Sequence, residues 1–186
     1  MKTSMFVLPA IMMLAACSSK SGVQAENASV ADIAAATKDA VKLSPGKWET
    51  TVEILSMDGP GISPAMAAAM KEQRKPQTAA TCLTPEQAAA PPQDMLGLSK
   101  SCRYEKFAMV GGTIDGTLSC KNLPGMQGGE MRTSLSGKFA DTSYDVTSDT
   151  TMDMPAMPGT PSGGKMTTKT HVSGKRVGAC DAPKAG

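Results

Sequence analysis

Four methionines in the last third of the chain are the residues with the clearest potential for chemistry. They lie in and just after the stretch MDMPAMPG, at Met152, Met154, Met157 and Met166. Thioether sulfur is a soft ligand that selects Cu(I) over harder cations. One hypothesis is therefore that the first three bind one copper(I) ion and that Met166 supplies a fourth thioether. The alternative is structural, because methionine also fills irregular gaps in an apolar core.

The N-terminal residues indicate export and a lipid anchor. Lys2 precedes an apolar run from Met5 to Ala16, which is shorter than the about 20 residues of a membrane-spanning helix. The stretch LAAC, ending at Cys17, resembles the lipobox of bacterial lipoproteins. This resemblance implies that residues 1–16 are removed and that Cys17 is acylated, and Ser18 in place of Asp favours the outer membrane. The alternative is an ordinary secretory signal with an incidental cysteine, which leaves the protein soluble in the periplasm.

The other four cysteines are expected to form two disulfides, because an even set in an exported chain is typical of oxidised proteins. They are Cys82, Cys102, Cys120 and Cys180. In the hairpin turning near Gly111-Gly112, a two-residue turn puts Cys102 and Cys120 on opposite faces. A three-residue loop sets them opposite each other. We therefore favour Cys102 with Cys120 and Cys82 with Cys180, whereas a zinc site is disfavoured because CxxC spacing is absent.

The residue types needed for catalysis are scarce. His171 is the single histidine, and strand alternation puts it on the solvent side with Lys169. The motifs G-x-S-x-G and H-E-x-x-H are absent. The carboxylates Asp145, Asp149 and Asp153 form an acidic stripe, which we interpret as a solvated face in preference to a calcium site. The sequence therefore predicts a protein that is not an enzyme and needs no cofactor unless copper(I) binds.

The composition predicts a thin apolar core. Leu, Ile, Val and Phe make up 27 of 186 residues, less than the roughly 20% below which disorder becomes a concern. Net charge is low, since loss of Lys2 leaves 18 basic against 17 acidic residues, so the chain lacks the charge excess of disordered proteins. No basic block is present, which argues against nucleic-acid binding. We expect a folded domain stabilised by cross-links as well as burial.

Strand patterns dominate the domain. In PGKWETTVEIL, the residues Trp48, Thr50, Val52 and Ile54 alternate with polar ones, as in a half-buried strand. Similar alternation continues from Cys102 to the end of the domain and turns residues such as Met131, Met166 and Val172 inward. Two short helices are predicted, one starting at Ser63-Pro64 and one at a capping box formed by Thr84 and Gln87.

These patterns define the predicted domain organisation. Residues 1–16 form a lipoprotein signal peptide, 17–44 the acylated N-terminus and a spacer with one weak helical pattern from Val30 to Val41, 45–182 a β-rich domain, and 183–186 a tail. The fold class is mainly β, a single antiparallel curved sheet or half-barrel of about seven strands with two short helices.

Several motifs together resemble one family of exported bacterial proteins, catalogued as domain of unknown function 3617. The motifs are Pro45-Gly46-x-Trp48-Glu49, Cys82-Leu83-Thr84-Pro85-Glu86-Gln87, Cys102, Cys120 and Gly178-x-Cys180, and the similar stretch spans about residues 44–181. The resemblance implies export and a shared β-rich fold, but no activity. We therefore expect a non-catalytic binding or structural lipoprotein that faces the periplasm and holds a small apolar ligand or an envelope protein, with copper(I) handling as the alternative.

Overall fold

Eight antiparallel strands form one open sheet, and three short helices accompany it. The computed structural model describes residues 22–38, 40, 42–89, 101–121, 129–154 and 163–181. The strands are β1 (Val23–Ser29), β2 (Gly46–Asp58), β3 (Gln77–Leu83), β4 (Cys102–Val110), β5 (Thr113–Lys121), β6 (Glu130–Ala140), β7 (Ser143–Met154) and β8 (Gly164–Gly178), and the helices are α1 (Val30–Thr37), α2 (Pro64–Gln73) and α3 (Pro85–Ala89). Their order across the sheet is β1-β4-β5-β6-β7-β8-β2-β3. The prediction of a mainly β, antiparallel fold is confirmed, with one more strand and one more helix than expected.

The additional strand and helix come from the segment that the sequence analysis assigned to a spacer. β1 pairs with β4 along Val23↔Met109 to Ser29↔Arg103, and α1 follows it directly. A capping box starts α1: the Ser29 hydroxyl accepts from the Asp32 amide, and the Asp32 carboxylate accepts from the Ser29 amide. The hydrogen bond from the Ser29 side chain is the main cause that lowers the pKa of Asp32. Residues 23–37 are therefore part of the folded unit: the weak helical pattern of this segment indicated α1, whereas it gave no sign of β1.

The core lies under one half of the sheet. We call the face of the sheet that carries it the inner face. The buried residues that pack together come from α1, β4, β5 and β6: Ile33, Cys102, Tyr104, Phe107, Met109, Ile114, Leu118, Cys120 and Leu135. Burial raises the pKa of the Tyr104 phenol, and its ring meets that of Phe107 edge to face at 5.1 Å. This cluster contains most of the large buried apolar side chains described, which fits the small supply in the sequence.

The β4–β5 hairpin has the favoured cysteine pairing, but its loop differs from the predicted one. Its loop has two residues and not three, because Val110 stands opposite Thr113. Gly111 and Gly112 have φ of 58° and 77°, the two positive values that a tight hairpin turn of this kind requires. A bulge between Tyr104 and Lys106 then shifts the register by one residue. That shift puts Cys102 opposite Cys120, with 4.0 Å between their Cα atoms.

The second cysteine pair joins the far edge of the sheet to the end of the domain. Cys82 in β3 and Cys180 after β8 have Cα atoms 5.5 Å apart and enclose a separation of 98 residues. Nearby, the Lys47 Nζ lies 2.8 Å from the Asp181 carboxylate, and this hydrogen bond raises the pKa of the lysine. Both pairs are those that the sequence favoured. The longer one holds β3, whose residues are exposed except Leu83, so it substitutes for packing that this edge lacks.

Aromatic rings close one end of the inner face. Tyr144 lies between Phe139 and Trp48, with ring centroids 5.9 Å and 5.8 Å away. Its hydroxyl is 2.7 Å from the Thr50 hydroxyl, and the buried Trp48 donates Nε1–H to the Ser44 carbonyl at 3.0 Å. The Tyr144 ring lies directly over Gly174, its partner on β8, where a Cβ atom would overlap the ring. Only glycine fits at position 174, because the Tyr144 ring occupies the space that a side chain would need.

The predicted starts of the two later helices agree with the structure. Thr84 and Gln87 form the reciprocal capping box at α3: the Thr84 amide donates to the Gln87 side chain at 2.9 Å, and the Gln87 amide donates to the Thr84 hydroxyl at 3.2 Å. At α2 the Met66 amide donates to the Ser63 hydroxyl at 3.2 Å. These caps are local in sequence, which explains why they could be predicted.

Replacement of both Cys82 and Cys180 by Ala tests how much the long cross-link contributes. Closing a loop of about 100 residues is worth roughly 4–5 kcal/mol in the chain-entropy model. Because Cys82 is exposed, the variant loses little packing, and we expect the free energy of unfolding to fall by about this amount in urea titrations. A loss below about 1 kcal/mol would show that the cross-link is not a main source of stability.

Gly174→Ala tests the close approach of the Tyr144 ring. The added methyl group forces the ring away from Trp48, and overpacking of this kind costs about 1–3 kcal/mol. Gly178→Ala on the same strand is the matched control, because nothing lies within 4 Å of the new atom there. Thermal unfolding should show a clear fall in Tm for the first variant only. Equal Tm values would contradict the described stacking.

Candidate functional site

The inner face of β7, β8 and β2 is left largely open. We call these inner-facing residues the open face. None of them belongs to the buried core cluster described above. Val146 and Val172 are half-buried, and Val52 keeps 41% of its surface exposed, one of the largest exposed fractions among large apolar residues in the described chain. An apolar surface of this kind, next to a packed core, is a typical place for a ligand.

A row of three valines crosses the open face. Val146 stands opposite Val172, and Val172 stands opposite Val52. Directly opposed side chains have Cβ atoms about 4.5–5.5 Å apart. We call this the valine row. It forms a continuous apolar stripe across three strands, beside the aromatic rings that close the face near Tyr144.

Hydroxyl groups occupy the next positions along the same strands. Ser148 and Thr170 face each other, and Thr150 and Thr168 do so one step further on. All four are half-buried. Serine and threonine both donate and accept hydrogen bonds without carrying charge. This part of the open face therefore combines an apolar stripe with uncharged hydrogen-bonding groups, the two kinds of surface that a neutral ligand needs.

A crevice between β2 and α2 extends the open face. Its volume is about 160 Å³, and its apolar lining comes from Ile54, Leu55, Met57, Ala67, Ala68 and Met70. Ile54 follows Val52 by two positions on the same face of β2, so the crevice lies next to the valine row. A register shift between Ile54 and Ser56 adds Leu55 to the lining. Two charged residues, Asp58 and Arg74, also border the crevice.

The structure brings together two of the four methionines proposed as copper ligands and adds one that was missed. Met152 stands opposite Met166 on β8 and opposite Met131 on β6. Met154 pairs with Gly164 in the backbone register, and Met157 lies outside the described residues. Strand alternation in the sequence predicts that Met131 points inward. Its position beside Met152 depends on the register between β6 and β7, which the sequence pattern does not give.

On the outer face of the sheet, the carboxylates of the acidic stripe lie beside side chains of β8. Each of the three carboxylates has a basic partner on β8: Asp145 with His171 at 2.9 Å, Asp149 with Lys169 at 3.4 Å, and Asp153 with Lys165 at 3.6 Å. His171 is thus on the side of the sheet opposite the core, as strand alternation predicted. Within the described ranges, no three His, Cys, Asp or Glu side chains are grouped closely enough to hold a metal ion.

The lipid-anchor prediction lies on residues that are not described, since Cys17 and residues 1–16 precede Gly22. None of the helices in the described part of the chain has the length and apolar character to cross a bilayer.

Comparisons with known proteins bear on the family alone. No curated protein and no solved structure matches this chain. A family model matches residues 43–180. This range includes both cysteine pairs and all the strands from β2 to β8. The match agrees with the resemblance carried by the tryptophan and cysteine motifs. The chain therefore belongs to the family described as protein of unknown function (DUF3617).

Proposed function

We propose that the protein is an exported, non-catalytic binding module that holds a small, uncharged and largely apolar ligand. The ligand occupies the crevice between β2 and α2 and extends along the valine row. The observation that carries this proposal is that Ile54, which lines the crevice, lies two positions from the exposed Val52 on the same strand. Neighbouring hydroxyls of Ser148, Thr150, Thr168 and Thr170 fix the ligand's polar end without a charge.

The size of the crevice limits the ligand. Apolar cavities of about 150 Å³ hold a benzene-sized molecule, and the crevice has about 160 Å³. A ring or a short branch of an acyl chain therefore fits inside, and the remainder lies on the open face. Asp58 and Arg74 at the crevice carry opposite charges, so neither sign is favoured in the ligand.

The proposed location is the cell envelope, with the domain on the periplasmic side of the outer membrane. Two cysteine pairs at disulfide distance support an oxidising compartment, and the lipobox-like LAAC stretch supports acylation at Cys17. Since β1 starts at Val23, only six residue steps separate the lipid from the sheet. Fully extended, they span at most about 20 Å, so the module stays close to the bilayer surface.

Binding of an uncharged fluorescent naphthylamine tests the proposal. We expect its fluorescence to rise with the full chain and its affinity to fall about tenfold in Ala67→Leu, because the larger side chain fills the crevice. Ala69→Leu, the same substitution on an exposed position of α2 that does not line the crevice, should leave the affinity unchanged.

The native ligand is sought by mass spectrometry of protein extracted from its own envelope without denaturation. A retained small molecule that is lost in Ala67→Leu supports the proposal. An apo mass together with crosslinks from the position of Val52 to another envelope protein would overturn it in favour of a protein partner.

A further inference from the structure

We propose that Met131, Met152 and Met166 form a binding site for copper(I). The site goes beyond the proposed binding of an apolar ligand and does not depend on it. It differs from the ligand set suggested by the sequence, because Met131 from β6 joins Met152 and Met166, whereas Met154 and Met157 are not part of it. We call these three residues the methionine row.

The backbone register places the three side chains next to one another. Met152 on the middle strand β7 has Met131 directly opposite on one side and Met166 directly opposite on the other. Such opposed Cβ atoms are about 4.5–5.5 Å apart, so the two outer ones are separated by roughly 10 Å. Methionine has three rotatable side-chain bonds, and the outer Sδ atoms can therefore turn toward an ion held above Met152.

The methionine row is accessible in a way that core methionines are not. All three residues are half-buried, whereas Met109 keeps only 7% of its surface exposed within the core. Met131 contacts the edge of the core cluster, but Met152 and Met166 are not among the described residues that pack against it. Gap filling in the core therefore explains the presence of Met109 but not that of Met152 and Met166.

The surroundings of the methionine row favour a soft cation. The adjacent row on the same strands holds three threonines, Thr133, Thr150 and Thr168, which bring no positive charge. On the side of β2, Gly59 lies beside Met166. A Cβ atom at position 59 would be only 3.3 Å from the Met166 Cγ, so glycine leaves room for this side chain. The charged neighbours Asp153 and Lys165 bind each other at positions that alternate to the outer face.

The donor set also determines the selectivity of the site. Three neutral thioethers match the preference of Cu(I) for soft ligands, while Zn²⁺ and Cu²⁺ prefer nitrogen, oxygen or thiolate donors. The row continues toward β5 at Cys120, which stands opposite Met131, but this sulfur is paired with Cys102. The site therefore binds Cu(I) through Met131, Met152 and Met166 without taking a thiolate from the cross-link.

Titration with Ag(I), a redox-stable probe for Cu(I) sites, tests this proposal. The experiment uses the oxidised full chain carrying Cys17→Ser, because a free thiolate would itself bind Ag(I). Among the 15 methionines, labelled on their methyl carbons for NMR, the signals of Met131, Met152 and Met166 should shift together at one equivalent. The signals of Met66 and Met109 should stay in place.

Variants separate ligation from packing. Met152→Leu with Met166→Leu conserves volume and should weaken Ag(I) binding at least 100-fold at unchanged Tm, since neither residue packs on the core. Met131→Leu should weaken it at least tenfold. Met66→Leu, on the exposed side of α2, should leave the affinity unchanged.

Two outcomes would overturn the proposal. One is a shift of the Met154 and Met157 signals with Met131 unmoved, which would favour the ligand set predicted from the sequence. The other is the absence of any shift at micromolar Ag(I), which would leave the methionine row a packing feature.

Discussion

The scarcity of large apolar side chains is the constraint on which the structure depends. The buried cluster draws its residues from α1, β4, β5 and β6, and it includes Phe107, Leu118 and Leu135. No comparable set remains for the inner face of β7, β8 and β2, where valines, threonines and methionines are only partly covered. One half of the sheet therefore provides most of the buried apolar surface, and the other half leaves its inner face partly exposed, where we propose that a ligand binds.

Other interactions compensate where burial is insufficient. The Cys82–Cys180 pair ties down the exposed strand β3, and the Cys102–Cys120 pair strengthens the hairpin at the centre of the core. Trp48, Tyr144 and Phe139 bridge β2 and the β6–β7 hairpin. Because cross-links and aromatic contacts hold β2 in place, the open face keeps its shape without being filled by its own side chains. That property is what a preformed binding surface requires.

Local patterns were predictable from the sequence, while relations between strands were not. The capping box of Thr84 and Gln87 and the alternation that turns Ile114, Leu118 and Cys120 inward depend on neighbours in the chain, so residue types sufficed. The bulge at Glu105 and the place of Met131 beside Met152 depend on register, which a single sequence encodes weakly. The strand β1 was missed because its residues Val23–Ser29 include one large apolar side chain, and its pairing with β4 supplies the remaining stabilisation.

Native-state hydrogen exchange of the oxidised protein tests the unequal stability of the two halves most directly. We expect the slowest amides to lie in β4 and β5 and to exchange only through global unfolding. Amides of β2, β3 and α2 should exchange through local openings of lower free energy, and addition of an apolar ligand should slow them selectively. Uniform protection across all eight strands, or the slowest exchange in β2 and β3, would contradict the account.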